Sequence, residues 1–487
     1  MRPYNLRVAC GAVAALVALG GCAASVTVNE NGVRDDTDAG RAAANGPLVT
    51  VDPDPFPSTY RPLASEPTAI VGATILDGKG GRIDNGYVVM SGGDVRAIGA
   101  GTLRPEPGVR VIDAAGKWVT AGIIDIHSHL GVYPSPSVRA HQDGNEISAP
   151  VTAEVWAEHG IWPQDPGFGR ALAGGVTSLM VLPGSANLFG GRTVTLKNVP
   201  GRTVQAMKFP DAPYGLKMAC GENPKRVYGA QRKRAPASRM GNVAGYRQAW
   251  ARAVEYKRAW DAYADKHASG KKAKPPKRDL ELDTLKGVLE GDILVHMHCY
   301  RADEMAIMID VSREFDYHIG TFHHAVESYK IADLLAANGT CSAMWADWWG
   351  FKMEAYDTIR ENIPFVHDAG ACAIVHSDSD VGIQRLNQEA AKALADGRKA
   401  GLNISKAEAW AWLSLNPARA MGIDGATGSL EPGKDADVVI WSSDPFSVYA
   451  KAEQVFVDGA LMWHIDDARH QPVMDFELGQ PGEGDAK

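Results

Sequence analysis

Short apolar runs alternate with stretches of helical character through the middle of this sequence, and this alternation limits the fold more than any other feature. The apolar runs cover residues 123–127, 176–182, 215–220, 293–298, 318–323, 340–344 and 371–375. Each run has the length of a buried strand, and strands that alternate with helices favour parallel pairing. The sequence therefore predicts an α/β protein whose main domain, residues 121–423, is a (β/α) barrel.

Both flanks of this region have the character of short strands closed by turns. Residues 69–76, 87–91, 95–98 and 109–113 are rich in β-formers and end in Gly, Asp or Asn, and the same pattern returns at 437–441 and 454–457. We therefore predict one small β-sandwich domain, composed of residues 64–120 and 424–470 together.

A basic insert interrupts the predicted barrel at about residues 225–278. Tyr246, Trp250 and Trp260 recur near helical spacing with Arg and Lys between them, which predicts an amphipathic helix. We favour a helix that packs this aromatic stripe on the barrel. The alternative is a basic face held near anionic lipid or an acidic substrate.

Residues 1–22 have the pattern of a signal peptide, with Arg2 and Arg7 before an apolar run that is too short to span a bilayer. The run ends in Leu-Gly-Gly-Cys, which resembles the lipobox of bacterial lipoproteins, so Cys22 is the predicted lipidation site. A simple secretory peptide is the alternative. Several acyl chains anchor a protein durably. We expect this one on the periplasmic side of the outer membrane or, without the anchor, periplasmic or secreted.

The segments next to the predicted domains lack apolar periodicity. Residues 23–63 are rich in Gly, Asp, Asn and Pro, which predicts a flexible linker between the anchor and the folded body. Residues 471–487 have the character of a tail. We therefore expect no catalytic residues in the linker.

The four cysteines after Cys22 are widely spaced and match no structural zinc motif. Alternation turns Cys220 and Cys299 outward on neighbouring strands, where an oxidising compartment could pair them, but we favour buried free thiols. A formal net charge of −8 gives no overall attraction to nucleic acid or to anionic membrane. A small molecule is therefore the expected partner, and a homo-oligomer is compatible with the sequence.

Histidines and carboxylates stand at the ends of four predicted strands. Side chains alternate along a strand, so Asp125, His127 and His129 point the same way. The runs 295–298, 320–324 and 374–378 end in the same residue types. Active sites of such barrels lie at the carboxyl ends of the strands, and imidazoles with carboxylates suit zinc and related divalent ions. We therefore predict a metal site at this end of the barrel.

Two motifs carry a resemblance to a known family. Residues 122–129, Gly-Ile-Ile-Asp-Ile-His-Ser-His, and 428–437, Gly-Ser-Leu-Glu-Pro-Gly-Lys-Asp-Ala-Asp, resemble the amidohydrolase superfamily and, within it, the imidazolonepropionase-related branch. The resemblance implies a (β/α)8 TIM-type barrel beside a composite β-sandwich. It also implies one or two divalent metal ions, zinc first, and places their ligands on His127, His129, His298, His324 and Asp378.

The resemblance further implies a bridging ligand on the fourth strand of the barrel. Many family members carry a carboxylated lysine there, and Lys217 fits by position. Glu222, at the end of the same strand, is the alternative source of a carboxylate. If Lys217 pairs with a neighbouring carboxylate instead, a single metal would suffice.

Asp378 is the predicted catalytic residue. A divalent cation lowers the pKa of bound water from about 15.7 to near 7, and Asp378 would take the proton and pass it to the leaving nitrogen. We interpret His296, His323 and His376 as supporting or core histidines. The predicted substrate-binding residues are Arg301, Tyr329, Trp345 and Lys352.

These features predict an enzyme that hydrolyses a C–N bond in a small-molecule amide, cyclic amide or dipeptide. A deaminase on the same scaffold is the alternative within the enzymes. A surface lipoprotein that binds metal or ligand without turnover is the alternative outside them. Asp378 argues against this last alternative, because a binding site needs no proton shuttle.

Overall fold

The computed structural model of the protein describes residues 47–135, 137–348 and 350–471. The predicted signal peptide, Cys22 and nearly all of the predicted tail lie outside the described residues. Within the described ranges, no helix is long and apolar enough to cross a membrane.

The described residues form sixteen strands in two sheets, together with ten α-helices. The strands are β1 Thr68–Leu76, β2 Arg82–Ser91, β3 Asp94–Ala100, β4 Arg110–Asp113, β5 Trp118–Ala121, β6 Ile123–Ser128, β7 Val176–Val181, β8 Phe189–Lys197, β9 Gly215–Ala219, β10 Leu294–Cys299, β11 Ile319–His324, β12 Cys341–Met344, β13 Ala373–Val375, β14 Val438–Trp441, β15 Ala452–Val457 and β16 Ala460–His464. The helices are α1 Pro166–Ala173, α2 Glu222–Lys225, α3 Arg239–Ala268, α4 Leu280–Glu290, α5 Ala302–Phe315, α6 Ala332–Asn338, α7 Asn362–Asp368, α8 Leu386–Lys399, α9 Lys406–Trp410 and α10 Leu415–Ala420.

The first sheet combines both flanks of the barrel in the order β16-β15-β14-β5-β1-β2-β3, with β4 beside β1. β14 pairs antiparallel with β5, which joins the later strands to the earlier ones. β1 changes partner along its length, since residues 68–71 pair with β4 and residues 74–76 with β5. The change falls at Gly72, whose φ of +78° only glycine adopts readily. The hydrogen bonds therefore form one sheet, and the predicted two-layer sandwich is not confirmed.

The second sheet has eight strands in the order β13 through β6 and forms a nearly closed barrel. The gap between β13 and β6 is bridged beyond the end of β13, where the amide of Asp378 donates to the carbonyl of His127 at 3.0 Å. The α/β fold class is thus confirmed. Closure at this end brings the segment after β13 against the predicted metal site.

β8 departs from the predicted repeat of parallel strands. It runs antiparallel to both β7 and β9, and all nine of its residues are buried. A short connection over residues 182–188 joins β7 to β8 without a helix, because an antiparallel neighbour needs no long crossover. A uniform (β/α)8 barrel is therefore wrong at β8, a strand that the sequence analysis did not identify.

Helix α3 occupies the predicted basic insert and packs through its aromatic stripe. Tyr246, Trp250 and Trp260 are all buried. The ring centroid of Trp250 lies 5.4 Å from that of Phe189 on β8 and 4.3 Å from that of Tyr317. The structure thus shows the packed helix that we favoured, and most of its basic residues, Arg247, Arg252, Arg258 and Lys266, are exposed.

The four described cysteines form two disulfides, so the expectation of free thiols is wrong. Cys220 pairs with Cys299, and Cys341 pairs with Cys372. Their Cα atoms lie 5.2 Å and 4.5 Å apart, because each pair joins neighbouring strands of the barrel. The first pairing was the alternative that we did not favour, and the second was not anticipated.

Residues 47–63, expected to belong to a flexible linker, pack on the folded body. Oδ1 of Asp54 accepts a hydrogen bond from Nζ of Lys208 at 2.8 Å, and Oγ of Ser58 donates to the carbonyl of Lys208 at 2.6 Å. The linker prediction is therefore wrong for this part of the segment. Its composition indicated that it has no core of its own, but composition does not reveal partners elsewhere in the chain.

Candidate metal centre

The two histidines at the end of β6 meet Asp378, which follows β13. Nε2 of His129 lies 3.2 Å from Oδ1 of Asp378, and Nε2 of His127 lies 3.5 Å from the same oxygen. One ligand atom from each of the three residues lies within 4.8 Å of the other two. His127 is fully buried, whereas 25% of the Asp378 side chain is exposed. The three side chains can therefore converge on one cation that water and a substrate can reach.

A second group of candidate ligands shares His127. His324 and His376 place ring nitrogens within 4.8 Å of each other and of His127. Nδ1 of His324 lies 3.7 Å from Oδ2 of Asp378, and the ring centroid of His298 lies 4.5 Å from that of His324. The two groups overlap, which allows one or two cations. His376, interpreted from the sequence as a supporting residue, is itself within ligand distance.

Two of these residues hold an uncommon backbone conformation. His324, at the end of β11, has a φ of +69°, and Asp378 has a φ of +48°. Left-handed backbone at residues other than glycine costs about 1–3 kcal/mol and is concentrated at functional sites. The strain therefore coincides with two side chains that the geometry brings together.

The chemistry of the buried imidazoles fits a divalent cation. Burial lowers the pKa of His127, His298 and His324 well below the ordinary value, and neighbouring basic groups lower it further. Both ring nitrogens of His298, and Nδ1 of His324 and of His376, are buried without a hydrogen-bond partner among the described residues. Such unpartnered nitrogens are costly. Neutral imidazoles beside a carboxylate form a donor set that a divalent cation would satisfy.

The structure separates the two candidate bridging residues. Lys217 is fully buried on β9, and its Nζ lies 3.5 Å from Nε2 of His127. Burial lowers the pKa of Lys217 to about 8. Glu222 instead begins α2, with Oε1 3.9 Å from Nζ of Lys352. Of the two, Lys217 is the one brought to the histidine cluster.

The imidazoles of His323 and His296 connect to His127 through hydrogen bonds between ring nitrogens. Nδ1 of His127 lies 2.9 Å from Nδ1 of His323, and Nε2 of His323 lies 3.1 Å from Nδ1 of His296. A hydrogen bond at one ring nitrogen fixes the orientation and tautomer of a histidine, and leaves the other nitrogen for a metal. This contact fits the supporting role that we assigned to His323 and His296.

Asp125 ties β6 to the segment after β13. Its Oδ1 accepts hydrogen bonds from the backbone amides of His127 and Ser377, both at 3.1 Å, and Oγ of Ser377 donates to Oδ2. Burial raises the pKa of Asp125 to about 7, although these hydrogen bonds oppose the rise. The sequence placed Asp125 on the same strand face as His127 but gave it no role. Its partner Ser377 lies 252 residues away, so no local pattern could have identified it.

The structure brings two of the four predicted substrate-binding residues to the centre. The ring of Trp345 stacks on that of His324 at 4.5 Å, and Nζ of Lys352 lies 3.9 Å from the ring centroid of Tyr300. Tyr300 in turn stacks on His324 at 5.2 Å. Trp345 and Lys352 therefore border the cluster on its outer side.

Arg301 and Tyr329 are not brought to the cluster. Arg301 is exposed, and its Nε donates to Oδ1 of Asp303 at 2.8 Å. The hydroxyl of Tyr329 donates to the carbonyl of Asp357 at 3.1 Å. Both side chains thus have partners on the protein surface, and the structure gives no support to their predicted role in binding a substrate.

Known proteins resemble this chain over most of its described length. The model of the Amidohydrolase family matches residues 118–462. Amidohydrolase tasK of Hapsidospora irregularis is 34% identical over 376 residues, which are 74% of this chain but only 38% of that protein. An imidazolonepropionase of Mesorhizobium japonicum is 25% identical over 395 residues, 76% of this chain and 90% of that protein. The crystal structure of an amidohydrolase from Thermotoga maritima MSB8 gives a TM-score of 0.74 at 32% identity and covers 82% of this chain and 100% of that one.

Proposed function

Because this chain belongs to the amidohydrolase family, we propose that it is a metal-dependent hydrolase that cleaves a C–N bond in a small-molecule amide, cyclic amide or dipeptide. The observation that carries the proposal is the convergence of His127, His129 and Asp378, whose ligand atoms lie within 4.8 Å of one another. A histidine cluster alone would suit a storage or structural metal. A partly exposed carboxylate beside it supplies the proton acceptor that hydrolysis needs.

The side chains of the centre have different roles. A bound divalent cation, which we propose to be zinc, supplies a Lewis acid that lowers the pKa of water and polarises a carbonyl. His127 and His129 would hold it, with His298 and His324 as ligands for a second ion. Asp378 accepts the proton of the attacking water and delivers it to the leaving nitrogen. Burial raises the pKa of Asp378, but its hydrogen bond with His129 and the nearby basic groups bring it below its ordinary value.

We propose that Lys217 is carboxylated and completes a centre for two metals. A carbamate forms when a neutral amine attacks carbon dioxide and releases a proton. Burial supports this reaction, because a pKa of about 8 leaves more neutral amine at neutral pH than an exposed lysine has. The position of Lys217 beside His127 puts the resulting carboxylate within reach of both groups of ligands.

Lys217→Ala should lower the metal content from two ions per chain to one or fewer, because the bridging carboxylate is lost. Elemental analysis of protein purified with carbon dioxide and zinc present measures this directly. Lys274→Ala, at an exposed lysine between α3 and α4, is the matched control and should keep both ions. Equal metal content in wild type and Lys217→Ala would contradict the bridging role.

Hydrolysis itself is tested by activity and by removal of the metal. The zinc-loaded protein is assayed against dipeptides, N-acyl amino acids, cyclic amides and amino-substituted heterocycles. We expect turnover of an amide that a chelator abolishes and added zinc restores. Release of ammonia from a heterocycle alone would favour the deaminase. Tight ligand binding without turnover of any compound would favour the non-catalytic lipoprotein.

The placement within the family is also a proposal. The 25% identity to an imidazolonepropionase, over 90% of that protein, supports a position near this branch. It does not carry that protein's substrate to this chain. The aromatic side chains that contact Trp345 instead support a large and mainly apolar substrate.

We further propose that Cys22 is lipidated and that the enzyme works on the periplasmic side of the outer membrane. The two disulfides support an oxidising compartment, because thiols in the cytosol are kept reduced. Membrane fractionation of cells that produce the full chain tests this anchor, and recovery in the cytosol alone would count against it.

A further inference from the structure

The loop between β12 and α7 exposes large apolar side chains beside the metal centre. Trp348 is 38% exposed, Phe351 56%, Met353 79% and Tyr356 71%. Soluble proteins rarely leave a group of large apolar residues in water unless it binds something. This loop also carries Trp345 and Lys352, which border the histidine cluster.

The exposed rings continue a stack that begins inside the centre. Trp345 stacks on His324 with ring centroids 4.5 Å apart and an interplanar angle of 25°. Trp348 stacks on Trp345 at 5.3 Å and 16°, and the ring of Phe351 meets Trp345 edge-on at 5.8 Å. The aromatic surface therefore runs without a break from a candidate metal ligand to solvent. A role in packing alone would bury these rings, whereas more than half of Phe351 is exposed.

Lys352 places its ammonium group beside this aromatic surface. Its Nζ lies 3.9 Å from the ring centroid of Tyr300, whose ring is 4.8 Å from that of His298. Oδ1 of Asn223 accepts a long hydrogen bond from this Nζ at 3.5 Å, and Oε1 of Glu222 is 3.9 Å away. Only 16% of the side chain is exposed.

The cation of Lys352 is thus largely removed from water, and its ion pair with Glu222 is long. Burial lowers the pKa of Lys352, although the nearby carboxylates of Glu354 and Glu222 oppose this. By contrast, Nε of Arg239 lies 2.8 Å from Oε2 of Glu304, and its Nη2 pairs with Glu354. A poorly hydrated cation gains more from an incoming carboxylate than an exposed or paired cation does.

The loop is also held in place before any ligand binds. Arg239 begins α3 and pairs both with Glu354 on the loop and with Glu304 on α5. The two carboxylates are buried, whereas 36% of the Arg239 side chain is exposed. A preformed surface loses little conformational freedom on binding. Arg239 of the basic insert therefore holds the loop that borders the histidine cluster.

We propose, resting on the amide hydrolysis argued above, that the substrates are amides that carry both a free carboxylate and a large apolar or aromatic group. Lys352 binds the carboxylate, and Trp348 and Phe351 contact the apolar group. N-acyl derivatives and dipeptides of apolar amino acids have this chemistry. Both groups then lie on the outer side of His324, with the amide directed toward Asp378.

The test compares substrates that differ in one group. N-acetylphenylalanine and N-acetylphenethylamine share the amide and the ring, but only the first has a carboxylate, and N-acetylglycine has the carboxylate without the ring. We expect kcat/KM to be at least about tenfold higher for N-acetylphenylalanine than for either of the others. Glycyl analogues of the three compounds extend the comparison to dipeptides.

Single substitutions test which residue is responsible for the preference for a carboxylate and which for the preference for a ring. Lys352→Met should lower kcat/KM for N-acetylphenylalanine by roughly tenfold to hundredfold, as expected for one charged hydrogen bond, and should lower kcat/KM for N-acetylphenethylamine much less. Phe351→Ala should impair the two phenyl compounds and spare N-acetylglycine. Lys274→Met, at an exposed lysine between α3 and α4, is the matched control, and unchanged thermal unfolding midpoints show that the variants fold.

A binding measurement separates this inference from the proposed function. Calorimetry should show that N-acetylphenylalanine binds the zinc-loaded protein and that Lys352→Met weakens the binding about tenfold or more. Hydrolysis of amides without a preference for carboxylate or ring would overturn the inference and leave the hydrolase standing. Binding that depends on Lys352, with no hydrolysis of any amide, would support the inference and overturn the hydrolase.

Discussion

Asp378→Asn is expected to lower kcat for amide hydrolysis by about 10²–10⁴-fold, because the amide can neither accept the proton of water nor deliver one to the leaving nitrogen. Asparagine keeps the shape of the side chain and one oxygen beside His127 and His129. Most of the bound metal should therefore remain. The measurement is kcat of the zinc-loaded variant, with metal content determined on the same sample.

Asp380→Asn is the matched control, since Asp380 lies two residues away and is exposed. It should keep wild-type kcat. The proton-transfer role would be refuted by an Asp378→Asn protein that holds its full metal content and retains more than about a tenth of wild-type kcat. Loss of metal together with activity would instead make Asp378 chiefly a ligand.

Lys197→Met is expected to lower the free energy of unfolding by about 3–5 kcal/mol, because it leaves a cluster of buried carboxylates without a counter-charge. Nζ of Lys197 lies 2.6 Å from Asp458, 2.7 Å from Asp435 and 3.4 Å from Asp437. These contacts join β8 of the barrel to the first sheet. Burial lowers the pKa of Lys197, but the three carboxylates raise it above its ordinary value.

The control for Lys197→Met is Lys79→Met, which removes a half-exposed ion pair with Glu431 and should lower the free energy of unfolding far less, because solvent screens this pair. Urea unfolding of both variants measures the difference. Burial and the neighbouring Asp437 raise the pKa of Asp435 to about 6, so the folded state takes up a proton there more readily than the unfolded chain does. The loss in Lys197→Met should therefore be smaller at pH 5 than at pH 8. A loss equal to that of Lys79→Met would contradict this account.

The candidate ligands of the metal centre were accessible from sequence because each lies in a local pattern. His127 and His129 are two residues apart on one strand, and alternation alone points them to the same side. His298 and His324 lie at the ends of apolar runs. These runs predict strands without any information about the neighbouring strands. Lys217 was placed by the family resemblance and its position on the fourth strand, and the structure sets its Nζ 3.5 Å from Nε2 of His127.

Other parts of the centre depend on contacts that no local pattern records. Arg301 and Tyr329 have residue types suited to a substrate, yet their partners on the surface direct them elsewhere. Glu222 follows β9, as predicted. However, α2 begins there, and the carboxylate of Glu222 lies beside Lys352 and not at the histidine cluster. The supporting contact between His127 and His323 spans 196 residues of sequence.

The strand ends that carry imidazoles and carboxylates could be identified in the sequence, because side-chain alternation and apolar runs are properties of a few consecutive residues. The antiparallel course of β8, the two disulfides and the packing of residues 47–63 became visible only in the folded protein, because each depends on surfaces supplied by distant segments. The same holds for the closure of the barrel, where Asp378 reaches His127. That long-range contact is what turns separate strand ends into one candidate metal centre.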